Sequence, residues 1–158
     1  MTGHHTPGTV VELGHVVLYV RDLDTSRAFY ADVLGWPVAA EVDLGGARAV
    51  AFSAGRTHHE LLLIEVGPSA APLPAGRRVG MYHFGVKVGD SDDDLRAALG
   101  RLHDRGVTVV GASDHTITHS LYLQDPDGNE VELYVDVPGV DWHSNPEAIL
   151  APIRPLHL

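Results

Sequence analysis

The stretch "LGHVVLYVRDLDTSRAFYADVLGW", starting at Leu13, runs from a strand-like segment into a helical one. "MYHFGVKVGDSDDDLRAALGRLHDRGV", starting at Met81, repeats the plan. A unit that recurs at this spacing restricts the chain to architectures built from two like modules. In the first copy, Asp24 or Thr25 is expected to cap the helix and Gly35 to close it. In the second, Asp90 or Ser91 caps and Gly106 stops. Shorter strands follow each helix, at about 37–43, 47–53 and 59–66 in the first half. In the second they fall at about 107–111, 118–124 and 130–135. Each half therefore reads β-α-β-β-β. The fold class expected is α+β, with two βαβββ modules in one domain and curved mixed sheets around a shared pocket. The domain spans 13–136, with module 1 at 13–66 and module 2 at 80–136. The Pro/Gly/Ala-rich "GPSAAPLPAGRRV" at 67–79 links them, 1–12 is a leader, and 137–158 is a C-terminal tail.

A length of 158 residues suits one domain with a real core, or two small fused modules. A net charge of −10 argues against nucleic acid and anionic membranes as partners. No apolar run reaches membrane-spanning length. "MTGHHTPGTVVELG" has no basic region followed by an apolar stretch, so a cytoplasmic location is expected. The chain has no cysteine, which removes thiolate chemistry and leaves imidazole and carboxylate as metal donors. Eleven histidines are far more than a chain of this size usually holds. His4 and His5 fall in the Gly/Thr/Pro-rich leader and are expected to be disordered.

Strand parity narrows the choice among the rest. His15 and His83 occupy the same place in the two strand-helix units, 68 positions apart. Val16, Leu18 and Val20 form the apolar face of the first strand; Tyr82, Phe84, Val86 and Val88 form that of the fifth. Both histidines point the other way. "SLYLQDPDGNEVELYVD" is a hairpin whose Asp-Pro-Asp-Gly-Asn turn uses a φ-locked proline and residues that tolerate φ > 0. Glu130, beside the turn, is expected to be open to water. Glu132 is mid-strand and opposes Val131 and Leu133. With the apolar rows under the helices, Glu132 is expected to face His15 and His83 across a concave surface. Repeat-matched positions favour a shared metal site over three unrelated polar residues. Glu65 is paired with Glu132 in the repeat, 67 positions earlier. His59 shares its face with Leu61, Leu63 and Glu65, and Tyr122 shares its face with Ser120 and Gln124. His119 falls opposite, with Leu121 and Leu123. The helices are expected to bury Ala28, Val33 and Leu34, and Leu95, Leu99 and Leu102. His103 reads as surface, the acidic run at 90–94 as a dipole-favourable helix start, and Trp142 as packed on the sheet or a partner. His143 has no assignment.

"LGHVVLYVRDLDTSRAFYADVLGW", "YHFGVKV" and "DPDGNEVELY" together resemble the vicinal oxygen chelate superfamily, which holds glyoxalases, bleomycin-resistance proteins and extradiol dioxygenases. "THHELLLIEV" and "SDHTITHSLYLQDPDGNEVELY" are most similar to a one-domain type I extradiol catechol dioxygenase. That resemblance implies Fe(II) held by His15, His83 and Glu132, with Mn, Ni or Zn as alternative metals. It also implies His59 as an acid–base group, with His115 and Tyr122 completing the pocket. The substrates implied are a small aromatic diol and O2, and the assembly a homodimer. Many members of that group carry two such domains, and this chain carries one. Two imidazoles and a carboxylate occupy one face of an octahedral ion and leave three positions open, enough for a chelating catecholate and dioxygen. Proton transfer beside it suits a histidine. A glyoxalase-type lyase or isomerase would instead use His15, Glu65, His83 and Glu132. A metal-free binder, as in bleomycin resistance, would need none of these ligands.

Overall fold

The computed structural model describes residues 6–158, so His4 and His5 lie outside the described residues. The first module consists of β1 (Val16–Val20), α1 (Leu23–Ala28), β2 (Val38–Asp43), β3 (Arg48–Phe52) and β4 (Leu61–Glu65). Its α1 continues as a π-helical turn over Phe29–Val33. The second consists of β5 (His83–Gly89), α2 (Asp92–Asp104), β6 (Val109–Asp114), β7 (Thr118–Gln124) and β8 (Glu130–Asp136). A 3₁₀ turn over Pro146–Leu150 and a short β9 (Arg154–Pro155) follow. The fold is α+β, with two βαβββ modules.

The two sheets share one plan. Their strand orders are β1-β4-β3-β2 and β5-β8-β7-β6-β9. In each, the first and last strands of the module pair in parallel, and the remaining neighbours run antiparallel. The tail supplies the ninth strand, which pairs with β6 through Ser113 and Asp114. Trp142 does not enter a core. It stays 45% exposed and stacks on His143 at 3.6 Å.

By contacts the chain divides into two compact units. One holds the described residues up to Arg27 together with Trp36–Ala70; the other holds Ala28–Gly35 together with Ala71–Leu158. The segment Ala28–Gly35 thus lies within module 1 in sequence but in the second unit in space. The first unit is centred on Leu18, Val20, Val50, Phe52, Leu61 and Leu63, and the second on Tyr30, Leu95, Leu102, Leu121, Leu133 and Val135. In both, the alternate positions of the inner strands supply the apolar layer, as a half-buried sheet requires.

Helix termini and phases depart from expectation in three places. Asp22, not Asp24 or Thr25, caps α1, its Oδ1 accepting the Thr25 N–H at 2.7 Å. Ala28 is exposed and Val33 and Leu34 are only half-buried, while Phe29 and Tyr30 are buried in their stead. The widened π turn begins at Phe29 and changes the angular step per residue, so a 3.6-residue projection carried through Ala28 selects the wrong side. In α2, Leu95, Ala98 and Leu102 are buried while Leu99 is only half-buried. Ser91 caps α2 by accepting the Asp94 N–H, and Asp94 reaches back to the Ser91 hydroxyl and the Asp90 N–H. Gly35 and Gly106 take positive φ of 76° and 68° where the helices end. Among the described residues no helix is long and apolar enough to cross a membrane.

Candidate metal centre

In the second unit the pairing of β5 with β8 sets His83 opposite Glu130 and Gly85 opposite Glu132. Partners in register point to the same side of the sheet, so His83, Glu130 and Glu132 share one face. His83 Nε2 stands 3.3 Å from Glu132 Oε2, and Nδ1 stands 3.4 Å from Glu130 Oε1. Gly85 leaves room for this: a Cβ there would meet Glu132 Oε2 at 3.4 Å and the Tyr134 ring at 3.3 Å. From β7, Tyr122 donates its hydroxyl to Glu132 Oε1 at 3.0 Å. That uses its single proton, so the 2.7 Å contact with His115 Nε2 has the imidazole N–H as donor and the phenol oxygen as acceptor. Burial and the neighbouring Glu132 charge push the Tyr122 hydroxyl well above its ordinary value, which keeps it a donor. His115 itself is fixed by a tight β6–β7 turn. Its N–H donates to the Thr118 carbonyl at 2.9 Å. Thr116 adopts φ 73°, the non-glycine residue with positive φ among those described, and its N–H is held by Asp114 Oδ1 at 2.7 Å.

In the first unit, His15 lies just before β1 and His59 just before β4. Their rings are 4.4 Å apart. His58 Nδ1 and His59 Nδ1 share one proton across 2.6 Å. Burial, then the charges of His15 and His58, lower the His59 pKa below its ordinary value near 6.5. Glu60 orders the loop that carries this pair, accepting the N–H groups of Ala54, Arg56 and Thr57. His59 does not reach His15 by strand parity, since Leu61 and Leu63 face the core and are fully buried. It reaches His15 because β4 begins only at Leu61, and the preceding loop frees the side chain from the alternation.

Glu65 is not the counterpart of Glu132. Val17 pairs with Leu62 as Gly85 pairs with Glu132, so the equivalent position in the first module holds a leucine. Glu65 instead lies on the core side with Leu63. Its Oε1 accepts the Leu23 N–H at the start of α1 at 3.0 Å and stands 3.8 Å from Arg48 Nη1. His119 is on the helix side as expected, 2.6 Å from Asp92 Oδ1, and His103 is exposed.

The structure therefore assembles His83, Glu132, Tyr122 and His115 in one unit, and His15 with His59 in the other. Among the described residues no group of three His, Asp or Glu side chains is arranged to hold an ion as it stands. Two of the expected donors, His83 Nε2 and Glu132 Oε2, are nevertheless spaced as neighbouring ligands of a divalent metal would be. His83 Nδ1 and Glu130 Oε1 are buried polar atoms without a hydrogen-bond partner. Adjacent donors on an octahedral ion with bonds near 2.1 Å are about 3 Å apart, close to the Nε2–Oε2 separation. Glu130, expected to face water, instead turns inward beside His83. A carboxylate at one imidazole nitrogen orients the other toward a metal. Its signal in the sequence was its parity, shared with Glu132. Gly85, too, was visible as a glycine inside a strand, which marks a close approach.

The model of the glyoxalase/bleomycin resistance protein/dioxygenase superfamily matches residues 12–133. The chain belongs to this superfamily. Among similar proteins, a catechol-2,3-dioxygenase of Bacillus subtilis (strain 168) is 36% identical over 135 residues, covering 85% of this chain and 45% of that protein. A biphenyl-2,3-diol 1,2-dioxygenase 3 of Rhodococcus globerulus is 34% identical over 127 residues, covering 78% and 63%. This superfamily member thus spans less than two thirds of the length of either dioxygenase. A probable lactoylglutathione lyase of Synechocystis sp. (strain ATCC 27184 / PCC 6803 / Kazusa) is 28% identical over 123 residues, covering 75% and 91%. The crystal structure of a glyoxylase/bleomycin resistance protein/dioxygenase domain from Frankia sp. EAN1pec superposes with a TM-score of 0.68 at 22% identity, over 82% of this chain and all of that one.

Proposed function

We propose that this protein is a non-haem Fe(II)-dependent extradiol dioxygenase, which opens a catechol-type aromatic ring with O2. The carrying observation is the linked set His83, Glu132, Tyr122 and His115, in which Tyr122 fixes Glu132 Oε1 beside His83 and His115 backs Tyr122. The similarity to two dioxygenases supports the same chemistry. In this reading His15, His83 and Glu132 hold one ion. When bound, Fe(II) supplies the positions at which a chelated diol and dioxygen meet. Mn(II), Ni(II) and Zn(II) suit the same donors.

The chain's own groups do the rest. Glu130, 3.4 Å from His83 Nδ1, would take up that N–H and leave Nε2 for the ion. Tyr122 fixes Glu132 Oε1 and leaves Oε2 for it. His59, biased toward its neutral form, accepts a proton from the second hydroxyl of the diol and returns it later in the cycle. His115 holds the Tyr122 hydroxyl from the other side and so keeps its proton on Glu132 Oε1. We place the working protein in the cytoplasm as a homodimer.

Anaerobic reconstitution with Fe(II), followed by air and a panel of catechols, tests this reading. A yellow ring-opened product with matching oxygen uptake is expected. Full iron loading without oxygen uptake on any diol would overturn it. A glyoxalase-type lyase is the second reading, favoured by the 91% of the Synechocystis protein that the match covers. Leu62 at the position equivalent to Glu132, and Glu65 engaged at α1, leave that reading one carboxylate short. Nickel or zinc in the isolated protein, with no iron, would favour the lyase.

A further inference from the structure

We propose that Arg77 and Arg78 form an anion-binding end to the substrate cleft, so that the preferred diol carries a carboxylate. This rests on the dioxygenase reading for the diol, but not for the anion. A cleft of about 630 Å³ opens in the second unit, lined in part by Arg77, Arg78, Met81, Tyr82, Gln124 and Glu130. That volume suits a small organic molecule. Glu130 ties it to the centre described above, because the same side chain faces His83 Nδ1 at 3.4 Å.

The charge pattern points to what the far end receives. The chain has 21 acidic residues against 11 lysines and arginines, and most of its cations are neutralised locally. Arg27, Arg48, Arg56, Lys87, Arg96 and Arg154 each lie within 3.8 Å of a carboxylate. Arg77 and Arg78 have no such partner among the described residues; Arg78 reaches only the Pro74 carbonyl, at 3.3 Å. Arg101 and Arg105 also lack a carboxylate partner among the described residues, but only Arg77 and Arg78 stand side by side in the lining of this cleft. Their long-range field is set against them by a net charge of −10, so an anionic ligand needs a local cation to be held at all. Guanidinium forks match a carboxylate with two parallel N–H donors each. Met81 and Tyr82, 41% and 76% exposed, add apolar and aromatic wall to the same cleft.

Equilibrium dialysis of metal-free protein with 3,4-dihydroxybenzoate and with its neutral methyl ester tests the anion end alone. The acid is expected to bind roughly ten- to a hundredfold tighter than the ester, from one or two charge-assisted contacts. That ratio should fall toward one in R77Q/R78Q and as salt is raised. Equal binding of acid and ester, no binding of either, or a ratio unchanged in R77Q/R78Q overturns the proposal. Retention of the ratio in R77K/R78K, with its loss in R77Q/R78Q, supports it. Ring cleavage is read separately on Fe(II)-loaded protein. An arginine-dependent acid preference without ring cleavage leaves the anion site standing and removes the dioxygenase; cleavage of neutral catechols with no acid preference does the reverse.

Discussion

His59 is the residue at which the two enzymatic readings part. As an acid–base group beside the metal rather than on it, it can be lost without loss of the ion. His59→Gln is therefore expected to retain iron and to lower turnover by roughly a hundred- to ten-thousandfold, measured as oxygen uptake per bound iron. Normal turnover in His59→Gln would return His59 to the role of a loop residue. Glu130 makes a different prediction, because it acts through His83. Glu130→Ala should weaken metal affinity roughly ten- to a hundredfold, read by competition with a chelator, with no dependence on substrate. That His83 and Glu132 share one face was legible in the sequence, because a two-residue strand period selects it. Glu130 was not, because proximity to a turn suggests water, whereas strand pairing with His83 decides where its carboxylate goes. Glu65 misled for a related reason. Spacing within a repeat counts residues, and the strand register that defines equivalence places Leu62 there instead.

At the level of elements, the β7–β8 hairpin followed its sequence closely, since a proline-containing turn of fixed chemistry sets the register of both strands. The first helix did not, because nothing in its apolar pattern announces a π turn. The loop before β4 is the element on which His59 depends, and Glu60 is its organiser. Burial pushes the Glu60 carboxyl up, but the N–H groups of Ala54, Thr57 and Arg56 outweigh it and hold the pKa below its ordinary value of 4.5. A carboxylate with a depressed folded pKa contributes stability that is complete above pH 4.5 and is lost as pH falls through the lower, folded value. The protection of the Ala54, Arg56 and Thr57 amides, measured against their intrinsic exchange rates, should accordingly fall on acidification below that point. Glu60→Gln keeps one acceptor oxygen where two are used. It should loosen the loop at neutral pH by about 1–2 kcal/mol and remove the acid step. An acid step that persists in Glu60→Gln would assign it to another group.

At the level of the whole molecule, if His15, His83 and Glu132 hold one ion as proposed, loss of either histidine should abolish a single binding event. Metal at about a hundred times its Kd should stabilise the native protein by about 2.7 kcal/mol. For a chain of this size that is a Tm rise of roughly 5–10 °C, reversed by chelation. His15→Ala and His83→Ala should each eliminate the rise; its survival in His15→Ala would confine the ion to the second module. A last consequence comes from Tyr30. Its buried hydroxyl donates at 2.8 Å to Asp125 Oδ2, a carboxylate that also takes the Asp127 and Asn129 N–H groups and the Asn129 amide. The hairpin turn of one sequence half is thus completed by a side chain encoded in the other. Tyr30→Phe, which leaves the acid short of a donor, should cost about 1–3 kcal/mol in thermal unfolding. A gene divided at the linker would yield two products of which the second, 71–158, lacks Tyr30. Produced alone, it should fail to give a cooperative melt, and co-expression with the first product should restore one. With that outcome the two halves are mutually obligate, and an exchange of one half for a foreign counterpart must bring a matching tyrosine with it.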